Sequence, residues 1–170
     1  MRTRPGGPDR SEFGEYVASR RPLLHRTAVV LTGDQDRAED LVQTVLVKLY
    51  VSWPKAVRAT SLDAYVRRML VNAATDAARR PARRREVLLG DAAPDPGRAD
   101  PDAALRLALL EALRDLAPGQ RRVVALRHWW GLSTEETAAE LGISPGTVKS
   151  QTSDALKRLR EVLAEQELQP

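Results

Sequence analysis

Two helix starts separated by a tight turn lie in the C-terminal part of the chain, and they constrain the fold more than any other feature. Ser133 and Glu136 have the spacing of a capping box, in which Ser accepts a backbone N–H and Glu reaches back to the cap. Gly142 predicts the end of this short helix, because glycine adopts the left-handed conformation without steric cost. Ser144 and Pro145 then predict a second helix start. The whole stretch predicts a helix-turn-helix.

The second helix of this motif combines a buried stripe with an exposed face of small polar residues. Val148, Thr152, Ala155 and Leu159 recur with helical spacing and predict the stripe. The opposite face has short hydroxyl and basic side chains that suit a DNA major groove. Its residues are Gly146, Lys149, Ser150, Ser153, Asp154 and Lys157. The alternative is a capped hairpin in an ordinary helical bundle, but the combination of caps, turn and hydroxyl-rich face favours DNA binding.

The composition favours an all-α protein and excludes several classes. Hydrophobic residues make up 42% of the 170 residues but aromatic residues only 4%, so Leu, Val and Ala must build the core. The absence of Cys excludes disulfides, thiolate nucleophiles and Cys-ligated zinc. We find no apolar segment suited to a signal peptide or a membrane span. We therefore expect a soluble, cytoplasmic protein.

Basic residues are concentrated rather than spread. The net charge is only +4, yet one segment holds Arg79, Arg80, Arg83, Arg84 and Arg85. This cluster ends a predicted helix over residues 62–80, which Ser61 should cap. Polar positions along that helix are Arg67, Arg68, Asn72, Asp76, Arg79 and Arg80. Arg residues at a helix end also complement the helix dipole, but five of them exceed that need and favour nucleic-acid binding.

Two further helices are predicted upstream. The first covers residues 12–31, and Pro22 should kink or split it. The second should begin with a capping box formed by Asp36 and Glu39, and Trp53-Pro54 should stop it after about Val51. Its outer face consists of Asp36, Asp40, Gln43, Thr44, Val47 and Val51. An apolar centre among acidic and polar residues predicts a protein-partner surface, although two tolerated exposed valines would give the same pattern.

A change of composition divides the chain into two helical modules. Pro, Gly, Asp and Ala dominate a linker at residues 87–102. The predicted modules are residues 11–86 and 103–166, with a disordered N-terminus at residues 1–10 and a tail at residues 167–170. In the second module, a helix should bury Leu105, Leu109, Leu110 and Leu113, and another should begin at Pro118.

The chain lacks recognisable catalytic chemistry. Its two histidines, His25 and His128, have no metal-ligand spacing. The sequence contains no phosphate-binding loop, dinucleotide-binding glycine motif or nucleophile elbow. We therefore predict no catalytic residue, no metal, no cofactor and no enzymatic activity.

Three ordered segments together resemble the extracytoplasmic-function sigma factors of bacterial RNA polymerase, and in particular the SigE-like group of actinobacteria. They are LTGDQDRAEDLVQTVLVKLYVSW, SLDAYVRRMLVNAATDAARR and LRHWWGLSTEETAAELGISPGTVKSQTSDALKRLR. The resemblance implies that the chain binds core RNA polymerase and directs it to promoters. An anti-sigma factor is a candidate third partner.

The resemblance also implies roles for individual residues. The residues expected to bind core polymerase are Asp36, Asp40, Gln43, Thr44 and Val47. Those expected to bind and open the −10 element are Arg58, Thr60, Ser61, Arg67, Arg68, Asn72, Asp76, Arg79 and Arg80, with Asn72 near a flipped base. Those expected to read the −35 element are Thr147, Lys149, Ser150, Gln151, Ser153, Asp154 and Lys157.

Two departures from the family pattern bear on promoter choice. Gln151 and Asp154 stand where relatives often carry Arg, and the loop from Arg58 to Ser61 lacks the usual Phe-Arg-Gly-x-Ser. Neither promoter element can therefore be taken over from a relative. Two rival functions fit the same helices: a free-standing regulator whose N-terminal module senses or dimerises, and a helical adaptor whose helix-turn-helix contacts only protein.

Overall fold

The computed structural model describes residues 10–79 and 101–167, and these residues form seven α-helices and no β-strand. The all-α class is therefore confirmed. The helices are α1 (Arg10–Thr32), α2 (Gln35–Ala56), α3 (Leu62–Arg79), α4 (Pro101–Asp115), α5 (Pro118–Val124), α6 (Thr134–Leu141) and α7 (Pro145–Glu167). A π-helical turn, Ala125–Trp129, follows α5. The expectations for residues 1–9, 80–100 and 168–170 lie outside the described residues, and they include those for Arg80, most of the linker and the end of the tail.

Helices α1, α2 and α3 pack around a core of aliphatic residues and one tryptophan. Leu24, Val45 and Leu70, one from each helix, are fully buried. Trp53 lies among the rings of Phe13 and Tyr16, at centroid distances of 5.3 and 5.7 Å. The Phe13 ring meets Trp53 edge to face and the Tyr16 ring is tilted against it, and such aromatic contacts add to the free energy of burial.

Neither proline ends its helix, so the expected stop at Trp53-Pro54 is wrong and Pro22 does not split α1. Helix α1 runs through Pro22, and α2 continues through Pro54 to Ala56. A proline removes one backbone hydrogen bond and crowds the preceding turn, but packing can offset that cost. Trp53 and Ala56 are buried in the last turn of α2, so its tertiary contacts favour the helix.

The start of α2 also differs from the expectation. Asp34, rather than Asp36, is the N-cap, and its Oδ1 accepts a hydrogen bond of 3.0 Å from the Arg37 backbone N–H. Glu39 accepts from Arg21 and Gln43 instead of closing a capping box. The backbone at Asp34 is extended, as at an N-cap, whereas Asp36 already lies in the first turn of the helix.

Helices α4 to α7 form the second module, and α4 buries a different stripe from the one expected. Leu113 is buried as predicted, but Leu105 and Leu109 are exposed. Ala108, Ala112 and Leu116 are buried in their place. The alanines allow close helix contact without large side chains, so counting leucines misplaced the face.

The two modules share one hydrophobic cluster and are joined by polar contacts. Leu24 and Val42 belong to the same cluster as Val124 and Leu126. Gly33 has a φ of +67°, and its carbonyl oxygen accepts a 2.8 Å hydrogen bond from Arg114 Nε. A Cβ added at Gly33 would lie 3.0 Å from Arg114 Cγ, so the close approach requires glycine.

Candidate nucleic-acid interface

The helix-turn-helix forms with the predicted caps. The Glu136 backbone N–H donates to Ser133 Oγ at 3.0 Å, and the Ser133 N–H donates to Glu136 Oε2 at 2.7 Å. The hydrogen bond from the Ser133 backbone holds the pKa of Glu136 below its usual value. Gly142 ends α6 with a φ of +66°, and Ser144 caps α7 through the Thr147 N–H at 3.0 Å.

Helix α7 presents the predicted polar face to solvent. Val148 and Ala155 are fully buried on its inner side. The predicted −35 residues that are exposed are Lys149, Ser150, Ser153, Asp154 and Lys157. Lys149 and Ser150 lie in the first two turns of α7, where such helices meet base edges, and Ser153, Asp154 and Lys157 continue this face along the helix. The predicted polar face of α7 is therefore open to a partner.

Thr147 and Gln151 are placed differently from these five. Gln151 is half-buried, and its Nε2 would lie 3.1 Å from a Cβ added at Gly119. Among the described residues, its buried Oε1 has no hydrogen-bond partner. Thr147 is also half-buried, and its Oγ1 lies 2.9 Å from Ser144 Oγ. Both side chains lie against the protein, so any role at DNA belongs to the edge of the reading face.

A groove beside α3 gathers most of the predicted −10 residues. It has a volume of about 870 Å³, comparable to that of a small-molecule site. Its lining includes Thr60, Ser61, Arg68, Asn72 and Asp76. Lys48 and Tyr65 line it as well, so it offers cationic, amide and aromatic groups together. Such groups can hold phosphate and stack with an unpaired base.

Two predicted −10 arginines, Arg58 and Arg79, are exposed but are not among the groove-lining residues. Arg58 lies in the loop between α2 and α3, and Arg79 ends α3. Neither takes part in a salt bridge among the described residues. Their guanidinium groups are therefore accessible to a nucleic-acid backbone running past the groove.

Arg67 is the exception among the predicted −10 residues. Its side chain is only 14% exposed and forms an ion pair with Glu140 of α6, which is 4% exposed. Its guanidinium carbon also lies 5.4 Å from the centre of a Trp130 ring, within the range of a cation–π contact. In this structure Arg67 faces the second module instead of solvent.

The outer face of α2 is exposed at every predicted position. Asp36, Asp40, Gln43 and Thr44 are accessible, and Val47 is 65% exposed. Val51 is 79% exposed and extends the same face. An uncovered pair of valines with acids on one side has the character of a partner surface.

Several residues that contact the other module gave no signal in the sequence. Glu140 reads as an ordinary solvent-facing acid of a short helix, and Trp130 as a packing residue. Thr27, Thr75 and Arg122 likewise occur in no recognisable motif. Their partners lie 47 to 103 positions away, a relation that local periodicity does not contain.

A helix-turn-helix with an exposed polar face, together with a groove that carries Lys48 and Arg68, is typical of a DNA-binding protein built from two helical modules. Comparison with known families is more specific. The sequence pattern of Sigma-70 region 2 matches residues 16–85, and that of Sigma-70 region 4 matches residues 106–159. The chain belongs to the sigma-70 family, in its extracytoplasmic-function group.

Characterised relatives are similar over most of their length. RNA polymerase sigma-E factor of Streptomyces avermitilis is 45% identical, with 92% of this chain and 88% of the relative covered. The sigma factor SigL of Mycobacterium tuberculosis is 35% identical, with 92% and 89% covered. These similarities support a promoter-directing sigma factor rather than a free-standing regulator.

Solved structures give the same result for the fold. The sigma factor RpoE of Bartonella quintana, in complex with the anti-sigma factor NepR, is 29% identical with a TM-score of 0.69. The comparison covers 91% of this chain and 98% of that one. CnrH, in complex with the cytosolic domain of CnrY, is 25% identical with a TM-score of 0.60, covering 92% and 90%. Within residues 10–79 and 101–167, no helix is both long and apolar enough to cross a membrane.

Proposed function

We propose that this sigma factor binds core RNA polymerase through α2, reads the −35 element with α7 and opens the −10 element at the groove beside α3. The observation that carries the proposal is the groove, because it brings a loop and a helix predicted to bind one DNA element to a single surface. The protein acts in the cytoplasm as a DNA-binding subunit and not as an enzyme.

At the −35 element, the exposed face of α7 supplies donors and acceptors of short reach. Lys149 can contact a guanine edge or a phosphate. Ser150 and Ser153 can hydrogen-bond to base edges that offer either a donor or an acceptor. Asp154 can accept from a cytosine amino group, but beside phosphates it weakens binding. A reading face with an acid in place of Arg predicts a −35 preference that differs from that of relatives with Arg.

At the −10 element, the groove holds an unstacked base and its neighbouring phosphates. Asn72 and Tyr65 offer an amide and an aromatic ring, while Arg68 and Lys48 offer positive charge. Unstacking a base costs a few kcal/mol, and stacking in a protein site recovers about 1–3 kcal/mol per base. Opening the DNA strands by holding an unstacked base in this groove therefore needs no ATP.

Core polymerase docks on the outer face of α2. Val47 supplies an apolar centre, and Asp40 and Asp36 supply negative charge around it. A basic partner surface with an apolar pocket complements this face. An anti-sigma factor is a further candidate partner, since the sigma factor RpoE described above is bound to the anti-sigma factor NepR.

Transcription in vitro with purified core polymerase and a library of promoters tests the proposal. The full chain should start transcription at a restricted set of sequences, and core polymerase alone should not. A regulator would instead protect its operator from nuclease without polymerase. Failure to bind core polymerase, together with unaided protection of duplex DNA, would overturn the proposal.

A further inference from the structure

One arginine predicted to hold the −10 backbone is already occupied within the chain. Arg67 Nε lies 2.9 and 3.0 Å from the two carboxylate oxygens of Glu140, and Arg67 Nη2 lies 2.6 Å from Oε2. Both side chains are largely excluded from solvent. Arg binds carboxylate and phosphate through the same planar fork of donors. Glu140 and a DNA phosphate therefore compete for one group.

The ion pair lies within a broader contact between the modules. Trp130, which stacks beside Arg67, donates from Nε1 to Thr27 Oγ1 at 3.1 Å. Arg122 donates to Thr75 Oγ1 at 3.2 Å on another side of the contact. The hydrogen bond from Arg114 to Gly33 ties α4 to the end of α1. Four separate polar contacts around a shared apolar cluster constitute a specific interface.

This closed arrangement cannot span a promoter. The names of the −10 and −35 elements place them about 25 base pairs apart. At about 3.4 Å per base pair, this separation is about 85 Å. A compact chain of this length has a radius of gyration of about 15 Å. Modules in direct contact therefore cannot lie on both elements, and the contact must open before both are bound.

We propose that the Arg67–Glu140 pair is an intramolecular latch, which holds the modules closed and withholds Arg67 from DNA until it exchanges Glu140 for phosphate. The part of this inference that concerns DNA rests on the proposed function. The closure itself concerns the chain alone, and it is measurable without DNA or polymerase.

The chain contains no cysteine, so two introduced cysteines are the only labelling sites. Ala18 on α1 and Arg160 on α7 are exposed, and the variant A18C/R160C places one dye on each module. Single-molecule energy transfer on the full chain should show a dominant closed population. Glu140→Gln leaves Arg67 without its counter-charge and should raise the open-to-closed ratio at least about tenfold. Glu135→Gln, the same change at an exposed position of α6, should leave the ratio unchanged.

A charge-reversed pair guards against a simple folding defect. Arg67→Glu alone should open the modules, and adding Glu140→Arg should restore closure. A random single-stranded DNA oligonucleotide then serves as the binding probe. Glu140→Gln should bind it several-fold more tightly than the parent chain, whereas the reversed pair should gain nothing, because Arg67 is absent.

The outcomes separate the latch from the proposed function. An unchanged ratio in Glu140→Gln overturns the latch, even if the variant transcribes normally. An open chain with no gain in DNA affinity overturns the withholding of Arg67. If the reversed pair stays open, the ion pair is not what holds the modules together. A chain that opens as expected but never supports transcription would instead count against the proposed function.

Discussion

The indole Nε1–H of Trp130 donates a 3.1 Å hydrogen bond to Thr27 Oγ1, across 103 positions of the chain. Thr27 is fully buried in α1, and Trp130 lies just before the helix-turn-helix. The hydroxyl also donates to the Leu23 carbonyl at 2.7 Å, so one oxygen satisfies its own helix and the opposite module. One hydroxyl in the first module is therefore among the groups that fix the orientation of the second.

Replacing Thr27 by Val should destabilise the protein by about 1–3 kcal/mol, because a near-isosteric side chain leaves the Trp130 N–H without its acceptor. Urea unfolding followed by tryptophan fluorescence measures the change. Thr137→Val is the matched control. Thr137 is also fully buried, but its Oγ1 has no partner among the described residues. This variant should be neutral or slightly more stable, and equal losses in the two variants would argue against the Trp130 contact.

The capping box of α6 should give a pH-dependent contribution to stability. Because the folded state lowers the pKa of Glu136 from its ordinary value of 4.5, the folded chain binds fewer protons than the unfolded chain. The contribution is therefore present above pH 4.5 and is lost as the pH falls through the lowered value. The difference in Tm between the parent chain and Glu136→Gln should shrink on acidification to roughly pH 3. A difference that grows over this range would contradict the assignment.

Asp40→Arg should weaken binding of core polymerase at least about tenfold, since it reverses a charge beside the apolar centre of the docking face. Glu111→Arg makes the same change at an exposed position of α4 and should leave the affinity unchanged. Affinity is measured by fluorescence anisotropy with labelled protein, and circular dichroism checks that both variants remain helical. Equal affinities for the two variants would remove α2 as the docking helix.

Lys149→Ala and Ser150→Ala should each weaken promoter binding by the polymerase complex, by about 1–3 kcal/mol if the side chain reads a base. The loss should disappear on a template whose −35 element is scrambled, because the base contact is already absent there. Competition binding measures the loss of affinity on the intact template and on the scrambled one. A loss of equal size on both templates would make these residues phosphate contacts only.

Replacing Arg79 and Arg80 together by Ala should lower the rate of promoter opening and reduce its salt dependence. Each phosphate contact contributes about one unit to the slope of log affinity against log salt, so a reduction of about two is expected. Arg10→Ala removes an exposed charge from the start of α1 and should leave the slope unchanged. A slope that does not respond to the double variant would indicate a solvated helix end.

In the helix-turn-helix, the sequence predicted the local chemistry well. Ser133, Glu136, Gly142 and Ser144 act as expected, because capping involves neighbours within four positions. Packing was predicted less well: Pro54 lies inside a helix because Trp53 and Ala56 are buried beside it. The rule that proline ends a helix considers only the local backbone, and it does not include the stabilisation from buried neighbours.

In the candidate site, too, local features were predicted and long-range contacts were not. Periodicity placed the exposed face of α7 and the outer face of α2, since each depends only on which side of a helix is buried. Periodicity could not show that Arg67 faces Glu140, because the two residues lie 73 positions apart and come together only when the modules pack. Gln151 turns inward towards Gly119 for the same reason.

Gly33, whose left-handed backbone follows the end of α1, also affects the contact between the two modules. Because Gly33 has a positive φ and lies against Arg114, one added methyl group would strain its own turn and displace Arg114 slightly, which loosens the contact between the modules. Neither DNA-facing surface includes this position. Substitutions at residue 33 should therefore change how readily the two modules separate, without changing the promoter sequences that are bound. The hydrodynamic radius would measure this separation.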